Sequence, residues 1–136
     1  MDCLFCKIAH KEQDANIIYE DDAVVSFLDI HPCTKGHTVV IPIQHAETLL
    51  EVPPEQLGDI WKGVQHTLAL LKETLDPDGF TIGINHGKVS GQVVEHLHIH
   101  LIPRWKDDGG GSLHSVVSAP PQEMVEETHK RIMNNE

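Results

Sequence analysis

The strongest constraint on the fold is a short alternation. Residues His96-Leu97-His98-Ile99-His100-Leu101 place an imidazole and an aliphatic side chain in strict turn, and Ile102-Pro103-Arg104 closes the stretch. Successive side chains on a β-strand point to opposite faces. His96, His98 and His100 therefore line one face, about 6.5 Å apart along the chain, and Leu97, Ile99 and Leu101 line the other. On a helix the same residues scatter round the axis. The aliphatic face demands a core behind it, and the histidine face demands a reason. Three reasons are open: a half-exposed strand face that happens to carry histidine, a three-histidine metal site, or a nucleophilic central imidazole oriented by its neighbours beside an anion. One flat strand closes poorly around a tetrahedral ion.

The rest of the chain supplies the core. Asn16 to Glu20, Ala23 to Ile30 and His37 to Pro42 are short apolar or β-branched runs separated by Asp21-Asp22 and by His31-Pro32-Cys33-Thr34-Lys35-Gly36. Connections this short predict an antiparallel meander. Pro53-Pro54-Glu55-Gln56 opens a helix. Leu57, Ile60, Trp61, Val64, Leu68, Leu71 and Leu75 then form a 3.6-residue stripe, which predicts a helix over 54–75 that packs on the core. Asp76-Pro77-Asp78-Gly79 ends it, and Phe80 to Asn85 reads as a fourth strand before the histidine strand. Short helices are expected at Leu4–His10 and Pro120–Met133, and the glycine-rich segment Trp105–Gly111 reads as a mobile loop. The prediction is one α+β domain over 1–136: an antiparallel sheet of about five strands, one long helix packed on it, and a loop-and-helix extension over 104–136.

Composition narrows the function. The chain has 136 residues and a formal net charge of −11 with its 11 histidines neutral. That balance excludes a protein that wraps nucleic acid, which needs a basic footprint. A small phosphate ligand is still compatible, because imidazoles, backbone amides and an arginine can make one pocket locally positive. No stretch approaches the roughly 20 apolar residues of a membrane span. The start Met1-Asp2-Cys3-Leu4-Phe5-Cys6-Lys7 has neither a basic segment nor a long apolar run, so no signal peptide and a cytoplasmic location are expected. Cys3, Cys6 and Cys33 are too few and too odd in number for a disulfide framework. Cys3-x-x-Cys6 has metal-ligand spacing, though two small half-buried residues would look the same.

Before the histidine strand, His86 to Val93 holds Gly87 and Gly91-Gln92, a loop able to offer backbone N–H groups to a phosphate. It lacks the Gly-Lys-Ser/Thr ending of a Walker loop. With that loop in place, His96-Leu97-His98-Ile99-His100-Leu101-Ile102 resembles the signature of the histidine triad (HIT) family. So do Cys3-Leu4-Phe5-Cys6-Lys7-Ile8, Phe27-Leu28-Asp29-Ile30, Gly36 to Pro42, His45, Asn85-x-Gly87, Gly91-Gln92 and Pro103-Arg104. Residues beyond about 112 match less clearly.

The resemblance implies a HIT-like sheet and a nucleotide hydrolase or nucleotidyl transferase acting on a purine nucleoside phosphoramidate or dinucleoside polyphosphate. His98 would attack the α-phosphorus, and His100 would donate to the α-phosphate. Gln92 would bind the scissile or leaving-group oxygen, and Asn85, Gly91, Val93 and Val94 would surround the phosphate. Asp29 would hold the ribose hydroxyls, with Phe27 and Ile30 near the base and His37 supporting the triad. Cys3, Cys6, His45 and His96 resemble a structural Cys₂His₂ zinc site. The competing reading keeps His96 in the triad and the cysteines as thiols. A homodimer formed across sheets or helices is also implied. Two departures stand out. Val93 replaces a common hydroxyl residue, and Glu95 replaces a common aromatic or proline.

Functions from other classes fit the same residues: a nucleotide-binding regulatory module with negligible turnover, or a zinc-binding interaction protein.

Overall fold

The computed structural model describes residues 3–134. A helix α1 (Leu4–Ala9) precedes strands β1 (Ile17–Glu20), β2 (Val24–Leu28) and β3 (Thr38–Pro42). The long helix α2 (Pro54–Leu75) follows, then β4 (Gly79–Gly83), β5 (Ile99–Arg104) and a terminal helix α3 (Val125–Met133). The expected meander is β1-β2-β3. The histidine strand β5 then inserts between β3 and β4, giving one five-stranded sheet in the order β1-β2-β3-β5-β4 with every neighbouring pair antiparallel. His100 sits mid-sheet, opposite Val39 on one side and Gly83 on the other.

Helix α2 runs over 54–75 as the stripe predicts, with Pro54 at its first position, where the missing N–H costs nothing. It covers one sheet face. Ile60, Val64 and Leu71 pack there on Val24, Val40, Leu97, Ile99 and Leu101. Each such aliphatic side chain contributes about 1.5–3 kcal/mol when removed from water. The stripe is rotated from the expected one. Trp61 is 40% exposed, while Gly63 and Thr67 are buried in the contact. Gly63 explains the rotation, since a Cβ there would collide with Val24 of β2 and only glycine lets helix and sheet approach so closely. Thr67 donates to the Gly63 carbonyl at 2.8 Å, so at 2.7 Å the Ser26 hydroxyl must be the donor to Thr67 Oγ1.

The other sheet face is covered too. Phe5, Ile8 and Ala9 of α1 pack on Val25, Phe27, Val39 and Ile41. Burial on both faces accounts for the nearly unbroken apolar run in β2 and the fully buried β3.

Three boundaries differ from expectation. The β5 ladder begins at Ile99, so His96 and His98 lie in an irregular approach to it, yet the alternation of faces continues through them. Helix α3 starts at Val125, not Pro120, because Pro121 disfavours helical backbone in the residue before it. Trp105–Gly111 is tied down. Arg104 grips the Asp108 carboxylate at 2.7 and 3.0 Å and also donates to Thr81 Oγ1 and the Gly111 carbonyl. Among the described residues no helix is long and apolar enough to cross a membrane.

Candidate functional site

A cleft of about 610 Å³ opens on the α1 face of the sheet. His98 and His100 form part of its wall, and Phe27, Asp29, Ile30, Asn85, Gly91, Val93 and Val94 line it as well. Nine of the ten substrate-facing or catalytic candidates therefore meet in one place. Gln92 is the exception. Its side chain turns back into the loop, where Oε1 accepts from the Gly87 N–H at 2.8 Å. Its Nε2 donates to the carbonyls of Glu47 (2.8 Å) and Val94 (3.1 Å). Both amide N–H bonds are thus engaged in bracing the 87–94 loop rather than aimed into the cleft. Gly91 has φ +106°, a conformation open mainly to glycine, and this lets the loop turn beside Asn85.

The cleft is not positive. Among its lining residues are Asp14 and Asp29 but no lysine or arginine. Arg104, the first cation after the histidines, is held by Asp108 instead.

Hydrogen-bond partners fix the state of each imidazole. The Nδ1 of His98 lies 2.8 Å from the His96 carbonyl oxygen. A carbonyl only accepts, so Nδ1 carries the proton, and Nε2 of the neutral ring holds the lone pair. His37 Nδ1 accepts from the Cys33 N–H at 3.0 Å, which leaves the His37 proton on Nε2. That Nε2–H donates to His100 Nδ1 at 2.9 Å. His100 consequently carries its own proton on Nε2. Burial first, then the neighbouring His98 and His37, pushes the His100 pKa down to about 4. Burial likewise lowers that of His37, against the pull of Asp29, whose Oδ2 lies 3.6 Å from His37 Nε2. The two rings are neutral hydrogen-bonding groups near pH 7. Asp29 Oδ1 also accepts from the His31 N–H at 2.8 Å, which fixes the carboxylate at the rim.

His96 faces the same side but is withdrawn from the cleft. Its Nε2–H donates to the Pro42 carbonyl at 2.9 Å, so Nδ1 holds the lone pair. Burial lowers its pKa to about 4. Nδ1 points at Cys3 Sγ (3.3 Å), Cys6 Sγ (3.5 Å) and His45 Nδ1 (3.2 Å), and Cys6 Sγ lies 3.3 Å from His45 Nδ1. All four ligand atoms fall within 4.8 Å of one another. A tetrahedron with metal–nitrogen bonds near 2.0 Å and metal–sulfur bonds near 2.3 Å has edges of roughly 3.3–3.8 Å, so the donor set fits a metal ion. Without an ion, His45 Nδ1 would carry a proton and donate to the His96 lone pair at 3.2 Å. Burial raises the Cys6 pKa to about 11, and a bound cation would reverse that shift.

One contact escaped the sequence. Phe5 sets its ring edge-on to His98, with centroids 5.1 Å apart, and also touches Phe27 (5.4 Å) and His96 (5.9 Å). A six-residue helix offers too few turns for periodicity to show which side chains face the sheet.

The HIT domain family model matches residues 10–107. The chain belongs to the HIT family. An uncharacterised HIT-like protein of Methanocaldococcus jannaschii is 48% identical over 107 residues, covering 79% of this chain and 82% of that one. An adenosine 5'-monophosphoramidase of Candida albicans is 36% identical over 113 residues, covering 80% and 74%. Among solved structures, a HIT family protein from Bacillus anthracis superposes with a TM-score of 0.84 at 35% identity, covering 97% of this chain and 92% of that one. A zinc-bound histidine triad protein from Mycobacterium smegmatis gives 0.74 at 40% identity, covering 80% and 79%. The HIT fold expected from the sequence is the fold observed.

Proposed function

We propose that this HIT protein cleaves purine nucleotides at the α-phosphorus through a nucleotidyl-histidine intermediate. The observation that carries the reading is the bond from His98 Nδ1–H to the His96 carbonyl, which leaves the His98 Nε2 lone pair as the nucleophilic atom beside the cleft. Nε2 attacks phosphorus, a P–N bond forms, and the bond to the leaving group breaks. Water then attacks the same phosphorus and returns the imidazole. His100 Nε2–H and the backbone N–H groups of Val93 and Val94 are the donors to the phosphate oxygens. Asp29 takes the ribose hydroxyls. Phe27 and the 80% exposed Ile30 form an apolar seat for the base. Gln92 acts by holding the loop in shape.

The phosphoramidase named among the relatives supports a P–N substrate over a polyphosphate. Arg104 supports the same choice, since it is anchored to Asp108 and is no anchor for extra phosphates. Val93 supplies no hydroxyl to protonate a leaving group, so an amine leaving from a P–N bond takes its proton from water. This favours slow turnover, the point of contact with a nucleotide-binding module.

Zinc is the metal that suits Cys3, Cys6, His45 and His96, an S₂N₂ set with four protein ligands and hence a structural site. A second copy of the chain adds along β4, an outer strand of the sheet that exposes Ile82, to form a homodimer. Three cysteines in no disulfide suit a reducing compartment, the cytoplasm.

The test compares adenosine phosphoramidate with diadenosine polyphosphate as substrates, with mass spectrometry of acid-quenched protein to catch a nucleotide on His98. AMP release, with the adduct lost in His98→Ala, is expected. Undiminished turnover by His98→Ala refutes the assignment.

A further inference from the structure

The metal cluster and the cleft share one helix. α1 supplies two of the four metal ligands, Cys3 at its N-cap and Cys6 within it. The same helix supplies Leu4, Phe5 and Ile8 to the cleft wall. Phe5 lies between the two cysteines in sequence and edge-on to the His98 ring in space. His96 repeats the arrangement from the strand side: its Nδ1 faces the cysteines, and its carbonyl holds the His98 proton.

Six residues make a helix far below the length that is stable by itself in water. Two things hold α1: packing of Phe5, Ile8 and Ala9 on the sheet, and the cysteines' convergence on His45 and His96. Without the metal the second hold becomes thiol–imidazole contacts of 3.3–3.5 Å, which are weak. With it, the helix is clamped to the segment after β3 and to the approach of β5 at once.

We propose that metal at Cys3, Cys6, His45 and His96 and nucleotide in the cleft bind cooperatively, with α1 as the shared element and Phe5 as the positioning residue between them. The inference rests on the nucleotide reading above. Clamping α1 fixes the cleft wall and holds the His98 ring against Phe5 while His96 holds its proton. A nucleotide that packs on that wall stabilises the clamped helix in turn, because coupling between two ligands is reciprocal: the factor by which zinc tightens nucleotide is the factor by which nucleotide tightens zinc. Couplings of this kind run from about 5-fold to about 150-fold. The metal is thus structural in its ligands and regulatory in its effect, and a drop in available zinc would lower nucleotide affinity.

The experiment measures zinc affinity of the full chain by competition with a chromogenic chelator, with and without saturating AMP. AMP's own weak hold on zinc is subtracted from a protein-free run. Calorimetry gives AMP affinity for the loaded protein in parallel. The expected result is a fivefold or greater gain in zinc affinity with AMP. In Phe5→Leu the gain should fall below twofold while one zinc per chain and the melting temperature of the loaded protein are kept. The gain is a ratio within each protein, so a direct effect of the substitution on AMP contact cancels. AMP binding with no change in zinc affinity overturns the coupling and leaves the nucleotide reading standing. An undiminished gain in Phe5→Leu overturns the role of Phe5. No AMP binding by loaded protein overturns the nucleotide reading and the coupling with it, and failure to bind zinc overturns the metal assignment and the coupling.

Discussion

Replacing His37 tests the tautomer chain most directly. In the native protein the Cys33 N–H fixes His37, and His37 Nε2–H fixes His100 at 2.9 Å. His37→Ala removes the only donor to His100 Nδ1 on this path. The nearest alternative partner is the Asp29 carboxylate, since ligand atoms of Asp29, His37 and His100 lie within 4.8 Å of one another. The His100 ring then gains by moving its proton to Nδ1 and donating to Asp29, directly or through water in the vacated space. A hydrogen bond to a charged group contributes about 1.5–3 kcal/mol. A bias near 2 kcal/mol leaves roughly one molecule in 30 with the proton on Nε2, the nitrogen proposed to donate to phosphate. The expected outcome is a kcat for AMP release from adenosine phosphoramidate reduced by about 10- to 100-fold, with a stability loss of about 1–3 kcal/mol from truncating a buried, bonded side chain. Glutamine places its amide nitrogen near the position of His Nε2, so His37→Gln should retain most of kcat. Nitrogen NMR of His100 reads the proton position independently of turnover. Native kcat in His37→Ala, or equal damage in His37→Gln and His37→Ala, would refute the argument.

Acid should destabilise the protein in a window set by histidine rather than by carboxylates. The native His100 pKa is about 4, against an unfolded value near 6.5, so the unfolded chain binds more protons between those limits. Stability should therefore fall as pH drops from about 6.5 to about 4, read as a lower urea midpoint at pH 4.5 than at pH 7; an unchanged midpoint contradicts the buried neutral ring. At the helix–sheet contact, Thr67→Val removes the acceptor for a buried Ser26 hydroxyl and should cost about 1–3 kcal/mol, more than Ser26→Ala, which leaves the Thr67 bond to Gly63 intact. The double variant should lose little beyond Ser26→Ala, and additive losses in urea melts would refute that donor order. AMP affinity should change by less than about twofold between 50 and 200 mM salt, because no lysine or arginine lines the cleft and there is little charge attraction to screen; a steep salt dependence by calorimetry would show a cation that the cleft does not contain.

What the sequence disclosed divides along local and non-local lines. Helix α2 was legible to its ends because Pro54, seven stripe residues and the Asp76-Pro77 stop all lie within one run. The two faces of the histidine stretch were legible because alternation is a property of neighbours. The insertion of β5 between β3 and β4 was not, since strand partners are chosen by shapes brought together from distant parts of the chain. The displacement of Trp61 needed knowledge that Gly63 meets Val24. Gln92 was assigned to substrate through the family resemblance. Its carbonyl acceptors, Glu47 and Val94, come together only when the loop folds. Arg104 was legible as a cation, and its capture by Asp108 four residues later was in plain view, a close pair that the loop's glycines disguised.

The three histidines show how one repeat yields three different groups. Alternation gives each the same face and nothing more. The difference lies in what stands behind each ring. His96 has the Pro42 carbonyl of β3 behind it, so its lone pair faces the cysteines. His98 has the His96 carbonyl, so its lone pair is on Nε2. His100 has a donor, His37, so its own outward nitrogen carries a proton. The proposed metal ligand, the proposed nucleophile and the proposed phosphate donor therefore follow in order along five residues. Turning a backing donor into an acceptor, or the reverse, would change the role of the ring in front of it. The strand is the scaffold, and the chemistry is set by partners on β3, on the loop before it and on the stretch's own backbone.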